Sequence, residues 1–137
     1  MKTGLMAGGI ALLATLGLSF AAFAGPSVDS DGDGVYDVLD NCVAVQNASP
    51  EDCDTDNDGY GNKCDGDFNE DNFTDGGDFP QFNADFLAGL IGDYATDMNC
   101  DTYVDGGDFP LFNGQFLGAG APGPSGLHCA GSVPCDL

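Results

Sequence analysis

The chain has 137 residues, two Lys or Arg against 23 Asp or Glu, six cysteines and no tryptophan. A formal charge of −21 excludes a nucleic-acid binder, since the chain repels phosphate, and it calls for counter-cations before the acidic segments can approach one another. This length supplies one small domain or two very small ones, with little room for a conventional core.

Residues 1–24 read as a targeting segment. Lys2 gives the positive end, an apolar Ala, Leu and Gly run extends from Gly4 to Phe23, and Ala22-Phe23-Ala24 is the small-x-small pattern that precedes a cut before Gly25. The run is almost long enough to cross a bilayer, so a retained anchor is the alternative; nothing after Ala24 is apolar enough to span. Taking 24 residues from 137 leaves 113 and removes Lys2, which moves the charge from −21 to −22 with Lys63 as the sole basic group. Small exported chains offset a deficient core with metals and disulfides.

Residues 25–65 hold two acidic loops. Asp29, Asp31, Asp33, Asp37 and Asp40 occupy positions 1, 3, 5, 9 and 12 of a twelve-residue frame, and Asp54, Asp56, Asp58, Asn62 and Asp65 repeat it. Alternate side chains of a tight loop can turn their oxygens inward, with position 7 (Val35, Tyr60) adding a backbone carbonyl and position 12 closing the shell. That donor set gives the six to eight hard oxygens that Ca²⁺ takes, and it is poor for zinc or copper. Gly34 and Gly59 fill position 6, where the frame turns sharply. The punctuation Asp40-Asn41-Cys42 and Cys64-Asp65 after such loops resembles the thrombospondin type 3 repeat, although Val43 stands where Pro is usual and the spacer holding Cys53 is longer. The resemblance implies a chain wrapped around calcium with almost no hydrophobic core, and a bridge between Cys42 and Cys64.

Residues 67–118 contain an internal repeat at an offset of 30: DFNEDNFTDGGDFPQFNADFLAGL recurs as DMNCDTYVDGGDFPLFNGQFLG. Asp67, Asn69, Asp71, Asp75 and Asp78 occupy positions 1, 3, 5, 9 and 12, with Phe73 at position 7; Asp97, Asn99, Asp101, Asp105 and Asp108 follow, with Tyr103. Position 6 is Asn72, which tolerates positive φ, and then Thr102, which tolerates it badly, so the loop at 97–108 is expected to be the weaker or more distorted one. After each loop the period becomes helical: Phe79, Phe82, Phe86, Leu87 and Leu90 form one stripe, and Phe109, Phe112, Phe116 and Leu117 another. Pro80 and Pro110 suit a first turn, and Gly89 and Gly118 suit helix stops. The two stripes are expected to pack on each other as a small core.

A duplicated loop-plus-helix opening on D-x-N-x-D resembles a type I dockerin. This implies paired half EF-hands around two Ca²⁺ and docking through loop positions 10 and 11. Here those positions are Gly76-Gly77 and Gly106-Gly107 in place of the usual hydroxyl pair, so the calcium half of the resemblance carries over and docking onto a cohesin does not. Of the 23 acidic residues, 17 occupy ligand positions of the four loops, which a merely solvated acidic coil would not hold in register.

Six cysteines in an exported chain suggest three bridges among fifteen connectivities. Beside the bridge implied by the thrombospondin resemblance, Cys129 with Cys135 would close a short loop, leaving Cys53 and Cys100 to tie the halves together. Residues 119–137 are rich in Gly, Pro and Ser and read as an extended segment pinned by its two cysteines. Asn47-Ala48-Ser49 and Asn72-Phe73-Thr74 match the glycosylation acceptor pattern. His128, the one histidine, has no nucleophile and orienting acid around it, and metal ligation accounts for the carboxylates, so no enzyme is expected.

The sequence thus leads us to expect a small, mostly irregular calcium-loop fold with few short α-helices. Its parts are a leader (1–24), thrombospondin-type-3-like calcium repeats (25–65), a dockerin-like pair (66–118) and a tail (119–137). The expected function is a secreted, calcium-folded structural or adhesive protein that self-associates or joins another extracellular protein in a matrix or filament. The alternative is a docking module recruiting a partner at the cell surface. About four Ca²⁺ ions would bring +8 against −22, leaving about −14.

Overall fold

Regular structure in the computed structural model is limited to two ten-residue helices, α1 (Phe79–Ala88) and α2 (Phe109–Gly118), and two 3₁₀ turns, Asp37–Leu39 and Asn62–Cys64. The structure describes residues 28–118 and 120–135, so the leader expected at 1–24 lies outside the described residues. No described helix is long and apolar enough to cross a membrane. Among the described residues there is no strand, only an isolated antiparallel bridge between Ile91 and Tyr103.

Local chemistry sets the helix ends. Pro80 stands in the first turn of α1, where its missing N–H breaks no helical bond, and Gly89 ends the helix at φ 59°, ψ 50°, donating to the Asp85 and Phe86 carbonyls. Each helix buries a single Phe, Phe82 (2 % exposed) and Phe112 (1 %), whose rings stack at 4.6 Å with 7° between planes. The remaining stripe residues are less covered than their period suggested: Leu87 and Leu117 are more than 70 % exposed, and Phe79 and Phe109 nearly half. Two short helices cover only a narrow line of each other. The rest of the core comes from the loops: Met98 is fully buried against Phe82 and Phe112, and Phe68 stacks on both rings at 6.2 and 5.5 Å. Met98 and Phe68 share position 2 of their loops. Burying one such ring contributes about 1.5–3 kcal/mol, so this cluster is a small fraction of what a domain needs.

Beyond each helix the chain bonds to the loop of the other unit. Val104 donates to the Leu90 carbonyl (3.0 Å) and, 30 residues away on both sides, Thr74 donates to the Gly120 carbonyl (3.0 Å). Val104 and Thr74 are both 1 % exposed.

Residues 28–65 have a covalent centre in place of an apolar one: the fully buried Cys42 and Cys64 are joined, with Cα atoms 5.7 Å apart. Cys53 bonds to Cys100 across 47 residues, and Cys129 to Cys135 across six. Three disulfides are typical of extracellular proteins.

The C-terminal segment is held by far more than its own two cysteines. It runs back over the first half, where Val43 donates to the Pro124 carbonyl (2.8 Å), Gly123 to Cys64 (3.0 Å), Gly126 to Asp40 (2.9 Å), Gly131 to Asp58 (2.8 Å) and Cys135 to Asn57 (2.7 Å). A side chain at 126 would run into the Asp37 carbonyl, so only glycine lets the backbone come this close. The tail thereby covers loops that have too little apolar surface to cover themselves.

Candidate metal centre

All four twelve-residue loops share one backbone plan. Positions 4 and 6 have positive φ throughout: Gly32 (79°) and Gly34 (98°), Asn57 (62°) and Gly59 (91°), Glu70 (59°) and Asn72 (71°), Cys100 (59°) and Thr102 (75°). The position-1 carboxylate accepts the position-6 N–H in each: Gly34 to Asp29 (3.1 Å), Gly59 to Asp54 (2.9 Å), Asn72 to Asp67 (2.5 Å) and Thr102 to Asp97 (2.7 Å). The position-5 carboxylate accepts the position-7 N–H in each: Val35 to Asp33, Tyr60 to Asp58, Phe73 to Asp71 and Tyr103 to Asp101, at 2.8–3.1 Å. These bonds fold the loop inward around its own acidic side chains. The carbonyls of Val35, Tyr60, Phe73 and Tyr103 accept no hydrogen bond among the described residues.

Thr102 does not distort its loop as the sequence suggested. The loops at 67–78 and 97–108 carry matching bonds and matching φ values, because the Asp97 carboxylate holds the Thr102 N–H and imposes the left-handed conformation on a β-branched residue.

The first two loops gather three carboxylates each. Oxygens of Asp29, Asp31 and Asp33 lie within 4.8 Å of one another, as do those of Asp54, Asp56 and Asp58. These two acidic triplets can hold a metal ion, and oxygens on opposite sides of one Ca²⁺ stand about 5 Å apart. In the later pair, position 3 is an amide: Asn69 and Asn99 accept the N–H of Asp71 and Asp101 (3.0 Å each) and leave fewer charges at the centre. Among the described residues these later loops form no three-carboxylate group.

Position 12 is buried in every loop, at Asp40 (3 % exposed), Asp65 (5 %), Asp78 and Asp108 (both 0 %). Asp40 and Asp65 accept N–H groups just beyond their own loops, from Cys42 and Asp67 (2.8 Å each). Asp78 and Asp108 instead reach back, taking the N–H of Asn69 and Asp75 and of Asn99 and Asp105. Burial raises the carboxyl of all four above the ordinary range, Asp65 to about 8 with Asp58, Asp56 and Asp67 adding repulsion. Asp56 is raised to about 7 by burial, then by its neighbours Asp58 and Asp54, and burial also raises Asp58 and Asp97. Asp33 is lowered by the N–H groups of Val35 and Asn47. The one described Lys or Arg, Lys63, pairs with Glu51 and beyond that only helps to lower Asp33, so among the described residues the raised carboxyls have no cation beside them. Asp31 leaves an oxygen without solvent or a hydrogen-bond partner. Carboxylates without a counter-charge, free carbonyls and an all-oxygen donor set fit a hard divalent cation such as Ca²⁺.

Position 9 is engaged within the fold. Asp37 accepts the Ser30 N–H (2.7 Å) and hydroxyl, Asn62 accepts the Thr55 N–H (2.9 Å), and Asp75 and Asp105 accept Gly77 and Gly107 (2.7 Å each). The ligand spacing gave no sign of Asn47, which is 2 % exposed: its N–H holds Asp33 (2.9 Å) and its side-chain amide is turned toward Asn41 and the Asp40 carboxylate. The acceptor pattern at Asn47 is therefore closed off in the folded chain, whereas Asn72 is exposed. The glycines at position 11 also acquire a reason: a Cβ at Gly77 or Gly107 would sit 2.5 or 2.6 Å from the amide nitrogen of Asn69 or Asn99, while Gly76 and Gly106 face open space.

No family model, curated protein or solved structure matches this chain.

Proposed function

We propose that this protein is a secreted, non-catalytic, calcium-folded structural or adhesive component. In this reading a thrombospondin-type-3-like half precedes a dockerin-like pair, each of the four loops holds one Ca²⁺, and the folded chain joins an extracellular matrix or filament. The observation that carries the reading is the common plan of the loops, with the same two positive-φ positions, the same carboxylate-to-N–H bonds and a buried closing aspartate in each. Calcium would remove the repulsion between carboxylates and make the closed loop the favoured one, so that binding and folding are one event. Affinities on the order of 10⁻⁴ to 10⁻³ M suit an extracellular module.

The test is a calcium titration of the oxidised protein by calorimetry, with circular dichroism, light scattering and chelator reversal. Four ions per chain with gain of structure are expected, and scattering that rises in step would report assembly. No heat and no structural change up to about 10 mM, well above the weak extracellular range, overturns the reading. The exposed Leu87 and Leu117 on α1 and α2 favour a second reading, a docking module for a separate surface protein. Calcium-dependent capture of one distinct partner by a chain that stays monomeric would select it.

A further inference from the structure

Asn62 departs from the charge register: position 9 is Asp in the other three loops (Asp37, Asp75, Asp105) and an amide only here. Its surroundings explain the choice. Asn62 is 3 % exposed; its Oδ1 accepts the Thr55 N–H inside its own loop, and its Nδ2 donates to the carbonyls of Tyr94 (3.0 Å) and Asp97 (2.9 Å), with the Thr55 hydroxyl beside them at 2.9 Å. Asp97 is position 1 of the loop at 97–108. A carboxylate at 62 would set negative oxygens against those two carbonyls with no proton between them.

A covalent tie lies close by. Cys53, immediately before position 1 of the loop at 54–65, bonds to Cys100, position 4 of the loop at 97–108, and the Cys53 carbonyl accepts the Asn62 N–H (2.9 Å). The disulfide keeps the two loops together whether or not either is closed. The Asn62 bonds depend on closure of 54–65, because that closure seats the side chain on its Oδ1 anchor. Closing one loop therefore places the opening residue of the other.

We propose that the loops at 54–65 and 97–108 bind calcium as a coupled pair, with Asn62 as the positioning residue that carries the coupling. This rests on the calcium reading above. Filling 54–65 prepares 97–108 for its ion, and by linkage filling 97–108 tightens 54–65 by the same factor. The loop at 29–40, which Asn62 does not touch, serves as the internal reference.

The experiment follows the backbone amides of Gly34, Gly59 and Thr102, the position-6 groups of the three loops, by nuclear magnetic resonance during a calcium titration. N62D keeps the size of the side chain, adds a charge to the loop at 54–65 and removes the donor to Asp97. A purely local role would move only the Gly59 midpoint. Coupling predicts that the Thr102 midpoint rises about tenfold in calcium, within the usual range for linked sites, while Gly34 stays in place. An unmoved Thr102 midpoint overturns the coupling even though all loops still fill. D101A, which empties the loop at 97–108 without touching Asn62, provides the reciprocal test should N62D fail to fold: the Gly59 midpoint rises if the loops are coupled, and its constancy refutes the coupling. If the unsubstituted chain shows no calcium-dependent shift at any of the three amides, the calcium reading fails and the coupling with it.

Discussion

Replacing Asp65 with Asn tests the cost and the use of one buried charge together. Asp65 closes the loop at 54–65, is 5 % exposed, and accepts the N–H of Asp67, the first residue of the next loop, at 2.8 Å. Asn is nearly the same size and keeps an oxygen for that N–H. Burial moves the Asp65 carboxyl from 3.8 to about 8. At pH 7 the folded, calcium-free chain must then keep a proton on Asp65 that the unfolded chain has released, which costs about 4 kcal/mol and which the neutral amide avoids. D65N should therefore be more stable than its parent by about that amount in chelator. Calcium changes the comparison. With a dissociation constant near 10⁻⁴ M, 10 mM calcium stabilises a filled site by about 2.7 kcal/mol, and D65N forfeits this at its own loop. The advantage should shrink to roughly 1 kcal/mol. Urea unfolding of both proteins at pH 7, with chelator and with 10 mM calcium, measures the two differences. Equal differences in both conditions would show that Asp65 does not serve an ion, and a D65N weaker than its parent in chelator would show that the buried carboxylate carries no penalty.

Calcium-free stability should fall as pH rises. Asp56 and Asp65 titrate at about 7 and about 8 in the folded chain and at 3.8 unfolded, so between those values the native state holds more protons and each step up in pH favours unfolding. Scanning calorimetry in chelator should give a higher Tm at pH 5 than at pH 8, and a flat or opposite trend would refute the burial argument. Saturating calcium should reverse the slope, because the ion must displace those protons and binds less well on acidification below about pH 7. Gly107→Ser should push Asn99 out of place and weaken calcium binding at 97–108 about tenfold, since overpacking of this kind costs about 1–3 kcal/mol. Gly106→Ser, which meets open space, should leave binding unchanged, and an equal loss in both variants by calorimetry would contradict the crowding at position 11.

The features that depend on neighbours within a dozen residues were legible without coordinates. The acidic register, the helices after Pro80 and Pro110 and the stop at Gly89 all rest on turn chemistry and short-range period, which the chain carries wherever it goes. The cysteines gave an even count and three expected pairs, and the structure forms all three, although it is the closed fold that brings Cys53 beside Cys100 across 47 residues. Tertiary structure also decided which of the Phe and Leu residues are covered. A stripe marks the side of a helix that can be buried, and the partner's length sets how much of it is, so Phe82 and Phe112 sink while Leu87 and Leu117 stay out. Met98 and Phe68 carried no periodic signal, since a single apolar residue at position 2 of an acidic loop has no pattern to join. The roles of Asn62, Asn47 and Gly126 were hidden for the same physical reason: each depends on the carbonyl or carboxylate of a distant segment, and that segment arrives only when the loops and the tail close over one another.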